Sequence, residues 1–139
     1  MTGVLGRLAG VVAGRRAPGA YAFHSDALPG TLAAALRAGG LAAHVLDTTG
    51  AADKRELLAR CARDLALPAW FGHNWDALVD ALRDVEAAEG TVVLWVGARS
   101  VPTDLAATSL DVLRARTSQP PPFTLVVLEA PTAFDLPPL

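Results

Sequence analysis

The 139-residue chain has a single cysteine, Cys61, which excludes an intramolecular disulfide and suits a reducing compartment. Arg60 and Arg63 flank it, but it shares a helical face with Leu57, Leu58 and Leu65, so the thiol is expected to pack as a small apolar group rather than react. Histidine is scarce: His24, His44 and His73 lack the paired spacing that a zinc site needs, and no metal is expected. The G-x-S-x-G elbow, the P-loop and the G-x-G-x-x-G fingerprint are all missing, and no cofactor is expected. Net charge is slight. With 12 basic and 14 acidic residues the formal balance is −2, too small for a global field, so direct nucleic-acid binding is not favoured and any electrostatic role must come from local placement. Long apolar runs are also wanting. The opening MTGVLGRLAGVVAGRR is broken by Arg7, has no positive charge ahead of its apolar part and is too short to cross a bilayer, so neither a signal peptide nor a membrane segment is expected.

What is present is a globular composition, 52% hydrophobic and 19% charged, of a length that buries roughly two thirds of its unfolded surface in one core. Residues 1–20 read as an N-terminal extension in which Leu5, Leu8 and Val12 have the spacing of a short helix. A strand over 21–25 and a helix carrying Leu28, Leu32 and Leu36, closed by Gly39 and Gly40, make a first strand-helix unit. A second strand follows over 41–46. Asp53 and Glu56 then fit a capping box that opens a helix over 54–66. The runs TVVLWV (91–96) and FTLVVL (123–128) are nearly continuous apolar stretches, the pattern of strands covered on both faces. Between them Ala106, Leu110 and Leu113 mark a crossover helix over 104–116, which predicts a parallel connection. The fold class expected is α/β, a small parallel sheet packed with helices, its main domain over 21–130 and a proline-rich, irregular tail over 131–139 with Phe134 packed back.

The most distinctive stretch is LPAWFGHNWDALVDALRD (67–84). Pro68 is expected to stop the preceding helix, Gly72 to let the backbone turn sharply, and Asn74 to cap a new helix. On that helix Trp75, Leu78, Val79, Leu82 and Val85 fall to one side, while Asp76, Asp80 and Asp84 recur every fourth residue on the other. Asp76 gains from the helix dipole. Asp80 and Asp84 gain little and repel their neighbours mildly, so local stability does not explain the whole stripe. A carboxylate pair such as Asp76 and Asp80 could serve a hydrolase, but on an open helix face both stay ionised and no cleft signature accompanies them; an enzyme is not expected.

This stretch resembles the signature of the barstar family, intracellular inhibitors of guanyl-specific ribonucleases: Leu-Pro, two aromatics, Gly, any residue, Asn, a large apolar residue, then Asp-Ala-Leu, any residue, Asp-Ala-Leu. The resemblance implies a barstar-like fold with an extra N-terminal strand-helix unit. It also implies that Asp80 occupies the position of the principal carboxylate reaching the enzyme's phosphate-binding centre. Asp76 stands in the other contacting helix position, and Trp70 matches the aromatic that packs on the catalytic face. The partner-binding set expected is Trp70, His73, Asp76, Val79, Asp80 and Asp84, shaped by Pro68, Gly72 and Asn74. The implied partner is a ribonuclease or another basic toxin, met in the cytoplasm by a protein that is monomeric when free. The alternative is a barstar-like module that docks a non-nuclease partner through the same face. Two places depart from the pattern. Val79 replaces a second large aromatic, and the end of the last long helix reads Leu113, Arg114, Ala115, Arg116 where the family supplies an acidic contact.

Overall fold

The computed structural model describes residues 8, 10, 14, 16–68, 70–85 and 87–139. Its frame is four parallel strands in the order β1-β4-β3-β2, where β1 is Ala20–Phe23, β2 Ala42–Asp47, β3 Thr91–Val96 and β4 Phe123–Leu128. The two central strands are the two nearly continuous apolar runs, because a strand with neighbours at both edges and helices on both faces favours apolar side chains; Thr91 and Thr124 are the polar residues they bury. Four helices connect and cover them: α1 (Pro29–Ala38), α2 (Lys54–Asp64), α3 (Trp75–Arg83) and α4 (Thr103–Arg116). This is the α/β architecture expected from the sequence.

The sheet runs out and back. The β1-to-β2 connection crosses its whole width, whereas β2 to β3 to β4 returns strand by strand, so crossovers of one hand place α1 on one face and α2, α3 and α4 on the other. Alternation along each strand divides the core accordingly. Val93, Trp95, Phe123, Leu125 and Val127 join Leu57, Leu58, Leu78, Leu82, Leu110 and Leu113 on the three-helix side. Val92, Leu94 and Val126 pack with Leu32, Leu36 and Leu8 on the α1 side. The buried Trp95 indole donates to Thr48 Oγ1 at 2.9 Å, which satisfies its one polar atom inside the core.

Several local expectations shift. The first strand is Ala20–Phe23 rather than 21–25, leaving His24 beyond it. Leu28 is not part of the buried repeat: it is the N-cap of α1 and 73% exposed, because Pro29 fixes the helix start one residue later. Leu8 is helical and buried in the α1-side core, while Leu5 and Val12 lie outside the described residues. The tail is more ordered than its prolines suggest. Thr132–Phe134 form a 3-10 turn, Phe134 sits against Trp95 with ring centroids 5.5 Å apart, and Ala22 donates to Pro137 O (2.9 Å) and accepts from Leu139 N–H (3.0 Å) along the outer edge of β1. Among the described residues no helix is long and apolar enough to cross a membrane.

Candidate functional site: an aromatic turn and an acidic helix

Helix α2 sets the approach to the site. Asp53 caps it by accepting from Glu56 N–H at 2.9 Å, and Glu56 Oε2 accepts from Ala52 N–H, one residue earlier than a reciprocal capping box requires. Its far end does not wait for Pro68. Ala66 takes the left-handed conformation (φ 52°), and Leu67 N–H bonds to Ala62 O at 3.0 Å, the six-to-one contact of a Schellman end built on alanine instead of glycine. Pro68 then closes a separate turn by accepting from Phe71 N–H at 2.9 Å.

The sharp bend before α3 falls one residue later than expected. His73, not Gly72, has positive φ (49°), and its ring lies 4.9 Å from that of Phe71 while Nδ1 meets Phe71 O at 3.1 Å. A Cβ on Gly72 would make only ordinary contacts, 3.4 Å to Asn74 Nδ2 and 3.6 Å to Ala77 Cβ. Asn74 caps α3 as expected, its Oδ1 accepting from Ala77 N–H at 2.8 Å. The bend separates three aromatics by fate. Phe71 is buried, Trp75 is half-buried with Lys54 Nζ 5.8 Å from its ring centre, and Trp70 is 67% exposed.

On α3 the buried side is Leu78, Ala81 and Leu82, followed by Val85. Val79 does not belong to it. At 37% exposure it sits at the border between the buried side and the aspartate face, because the three-helix core takes up only the side centred on Leu78 and Leu82. Asp76, Asp80 and Asp84 are all exposed, with Asp76 in the first turn and Asp84 at the C-cap. Asp80 has an intrahelical partner, Arg83 Nη1 at 3.4 Å, and both side chains are mostly in water, so the pair is weak. Asp76 has no ion pair among the described residues.

Most neighbouring cations are committed elsewhere. Arg60 donates to Asp47 O (3.0 Å) and Thr49 O (3.1 Å), Arg63 pairs with Asp64, and Arg37 holds Ala43 O at 2.7 Å. The most consequential is Arg116, at the basic end of the last long helix where the family supplies an acidic contact. It is 3% exposed. Its guanidinium donates to Leu82 O (2.9 Å) and Val85 O (3.3 Å) at the end of α3, and to Gln119 O (2.7 Å) and Pro121 O (3.2 Å), with Phe123 beneath it at 4.9 Å. A buried cation on the last carbonyls of α3 satisfies groups that the helix leaves unpaired and complements its dipole. Only Arg114 of that pair faces solvent.

Among the described residues no group of three or more His, Cys, Asp or Glu side chains could hold a metal ion. Cys61 is buried and its thiol is pushed up to about 12, by burial first and by the Asp64 charge second. Fold and surface together thus define a compact α/β scaffold whose distinctive exposed chemistry is one indole and a row of carboxylates, carried on a rigid bend. The chain belongs to the barstar family: the family model, barstar (barnase inhibitor), matches residues 41–128, more than half of the chain. That match takes in β2 through β4 and leaves β1 and α1 outside. A search of curated proteins finds no match.

Proposed function

We propose that this protein is a cytoplasmic inhibitor of a ribonuclease toxin, and that it blocks the enzyme by laying the acidic face of α3 and the Trp70 indole on the cationic substrate site. The observation that carries this reading is the exposure, side by side in sequence, of a 67% accessible indole and of Asp76 and Asp80 on the solvent face of a capped helix. Fixed carboxylates can occupy the place of phosphate oxygens, gaining charge-assisted hydrogen bonds from Arg and Lys of the enzyme. Their local negative potential also speeds encounter, which matters for an enzyme that destroys its host's RNA. Trp70 supplies an aromatic anchor of the kind that dominates interface energies.

The test is a titration of a guanyl-specific ribonuclease with wild type, Asp80→Ala and Arg83→Ala. Removing Asp80 should weaken binding by roughly 2–5 kcal/mol, a range taken from measured charge pairs that include this family's own complex rather than worked from this structure. Arg83→Ala should bind as well as wild type or better, since it frees Asp80. Equal affinity for wild type and Asp80→Ala would end the proposal. A second reading, docking of a non-nuclease basic protein through the same face, is favoured by Val79 in place of an aromatic and by the exposed Arg114 on α4. Capture of a partner without nuclease activity, together with failure to protect cells from ribonuclease toxins, would select it.

A further inference from the structure

A separate depression takes none of its lining from the acidic helix. It is a groove of about 470 Å³ between α4 and the 3-10 turn Thr132–Phe134. The residues that line it from α4 include Ala106, Leu110 and Arg114, on one side of the helix; Arg116, which reaches α3, is on another. From Thr103 to Arg114 that side is about 16 Å long at ~1.5 Å per residue. The floor is apolar, made by Ala106, Leu110 and Phe134. Its volume falls within the range of small-molecule sites, about 300–1,000 Å³.

Placement adds a second reason. In open parallel sheets, ligands collect outside the carboxyl ends of the strands where successive connections leave for opposite faces. Here β1 sends its chain to α1 on one face, and β3, one strand further across β4, sends its chain to α4 on the other. Arg99, on the turn directly after β3, lines both the α4 groove and an adjoining depression of about 400 Å³ at the ends of β1 and β4. Among the described residues Arg99 has no carboxylate partner, and its guanidinium makes a long 3.4 Å contact to Ala130 O. The nearest acid in the adjoining depression, Glu129, is engaged by His24. At the opposite end of the groove Arg114 shares the lining with Asp111, so the two charges offset there.

We infer that this groove binds a small amphipathic acid, with its apolar body along α4 and its anionic group on Arg99. The groove takes no lining residue from α3, and only its Arg114 end reaches the part of α4 where the family places a partner contact. The probe is decanoate, with decanol and acetate as the uncharged and the tail-less controls, titrated into the full chain and followed by amide NMR shifts. Saturable shifts at Arg99, Ala106, Leu110 and Phe134 are expected, at least tenfold weaker with decanol, with acetate or in Arg99→Ala, and nearly unchanged in Arg114→Ala. Ala107→Phe, which fills the groove from an exposed position, should abolish them. Absence of saturable decanoate shifts, equal binding of decanol, equal binding by Arg99→Ala, or shifts confined to another surface would overturn the assignment.

Discussion

Replacing Arg116 by Met keeps most of the side-chain volume and removes the guanidinium. Among its described carbonyl partners, Leu82 O and Val85 O sit in fully buried contacts, Leu82 O keeping Val85 N–H at 3.2 Å as a second donor, while Gln119 O and Pro121 O are in part-buried ones and can turn to water. Val85 O left without a donor costs ~1–3 kcal/mol, and the charge-assisted bond lost from Leu82 O ~1.5–3 kcal/mol more, roughly 2.5–6 kcal/mol together. Relief from burying a charge offsets part of that, which leaves about 3 kcal/mol. For a domain of this length the loss corresponds to a fall in Tm of about 10 °C. Urea unfolding followed by tryptophan fluorescence measures it directly, with Arg114→Met as the exposed comparison expected within about 0.5 kcal/mol of wild type. A loss below about 1 kcal/mol in Arg116→Met would refute the reasoning, since it would mean that the end of α3 finds its hydrogen bonds without the guanidinium.

Gly97→Ala should be more damaging than its size suggests: φ is 84°, and an added Cβ would lie 2.5 Å from Thr49 N and 2.7 Å from Thr49 Cα, so a cost of about 3 kcal/mol or more is expected in the same unfolding assay. His44 has its pKa held below the ordinary 6.5, by burial first and by the Arg37 charge second. The unfolded chain therefore takes up a proton that the folded one resists, and stability should fall as pH drops below 6.5; the fall should be shallower in His44→Gln, compared by chemical denaturation at several pH values. Cys61 has the opposite sign. Its thiol is raised from 9.0 to about 12, so the stabilising contribution is complete below pH 9 and is lost as pH rises toward 12, and a thiol reagent at pH 8 should label the protein only at the rate at which it opens.

The parts of this fold that could be read in advance are those where one interaction decides. TVVLWV and FTLVVL became β3 and β4 without a residue's shift, because burial on both faces leaves no competing reading for an uninterrupted apolar run. Asp53 and Asn74 announced the starts of α2 and α3 for the same reason: a side-chain acceptor ahead of an amphipathic stretch has one obvious use. The misread positions are those where tertiary structure overrides a residue's usual habit. Left-handed backbone at Ala66 and His73 is invisible in a sequence that offers Gly72 and Pro68 nearby. Arginine is usually a surface residue, and nothing local in the sequence marks Arg116 for burial, which depends on the carbonyls of Leu82 and Val85 lying close by at the end of α3. Val79 has the spacing of the apolar stripe, yet it is 37% exposed because only one side of a short helix is covered, which leaves it on the surface with the partner-binding set in which the resemblance puts it.

The pairing of β1 with β4 carries a consequence for synthesis. Ala20 meets Leu125 and Phe23 meets Leu128, so the strand that leaves the ribosome earliest has its hydrogen-bonding edge reserved for the one that leaves last. Until then α1 has only a partly assembled sheet to lie on, and the nascent chain carries an unmatched β-edge through almost the whole of translation. Loop-closure entropy makes this long-range docking the natural final event, by which time β2, α2 and α3 have already emerged.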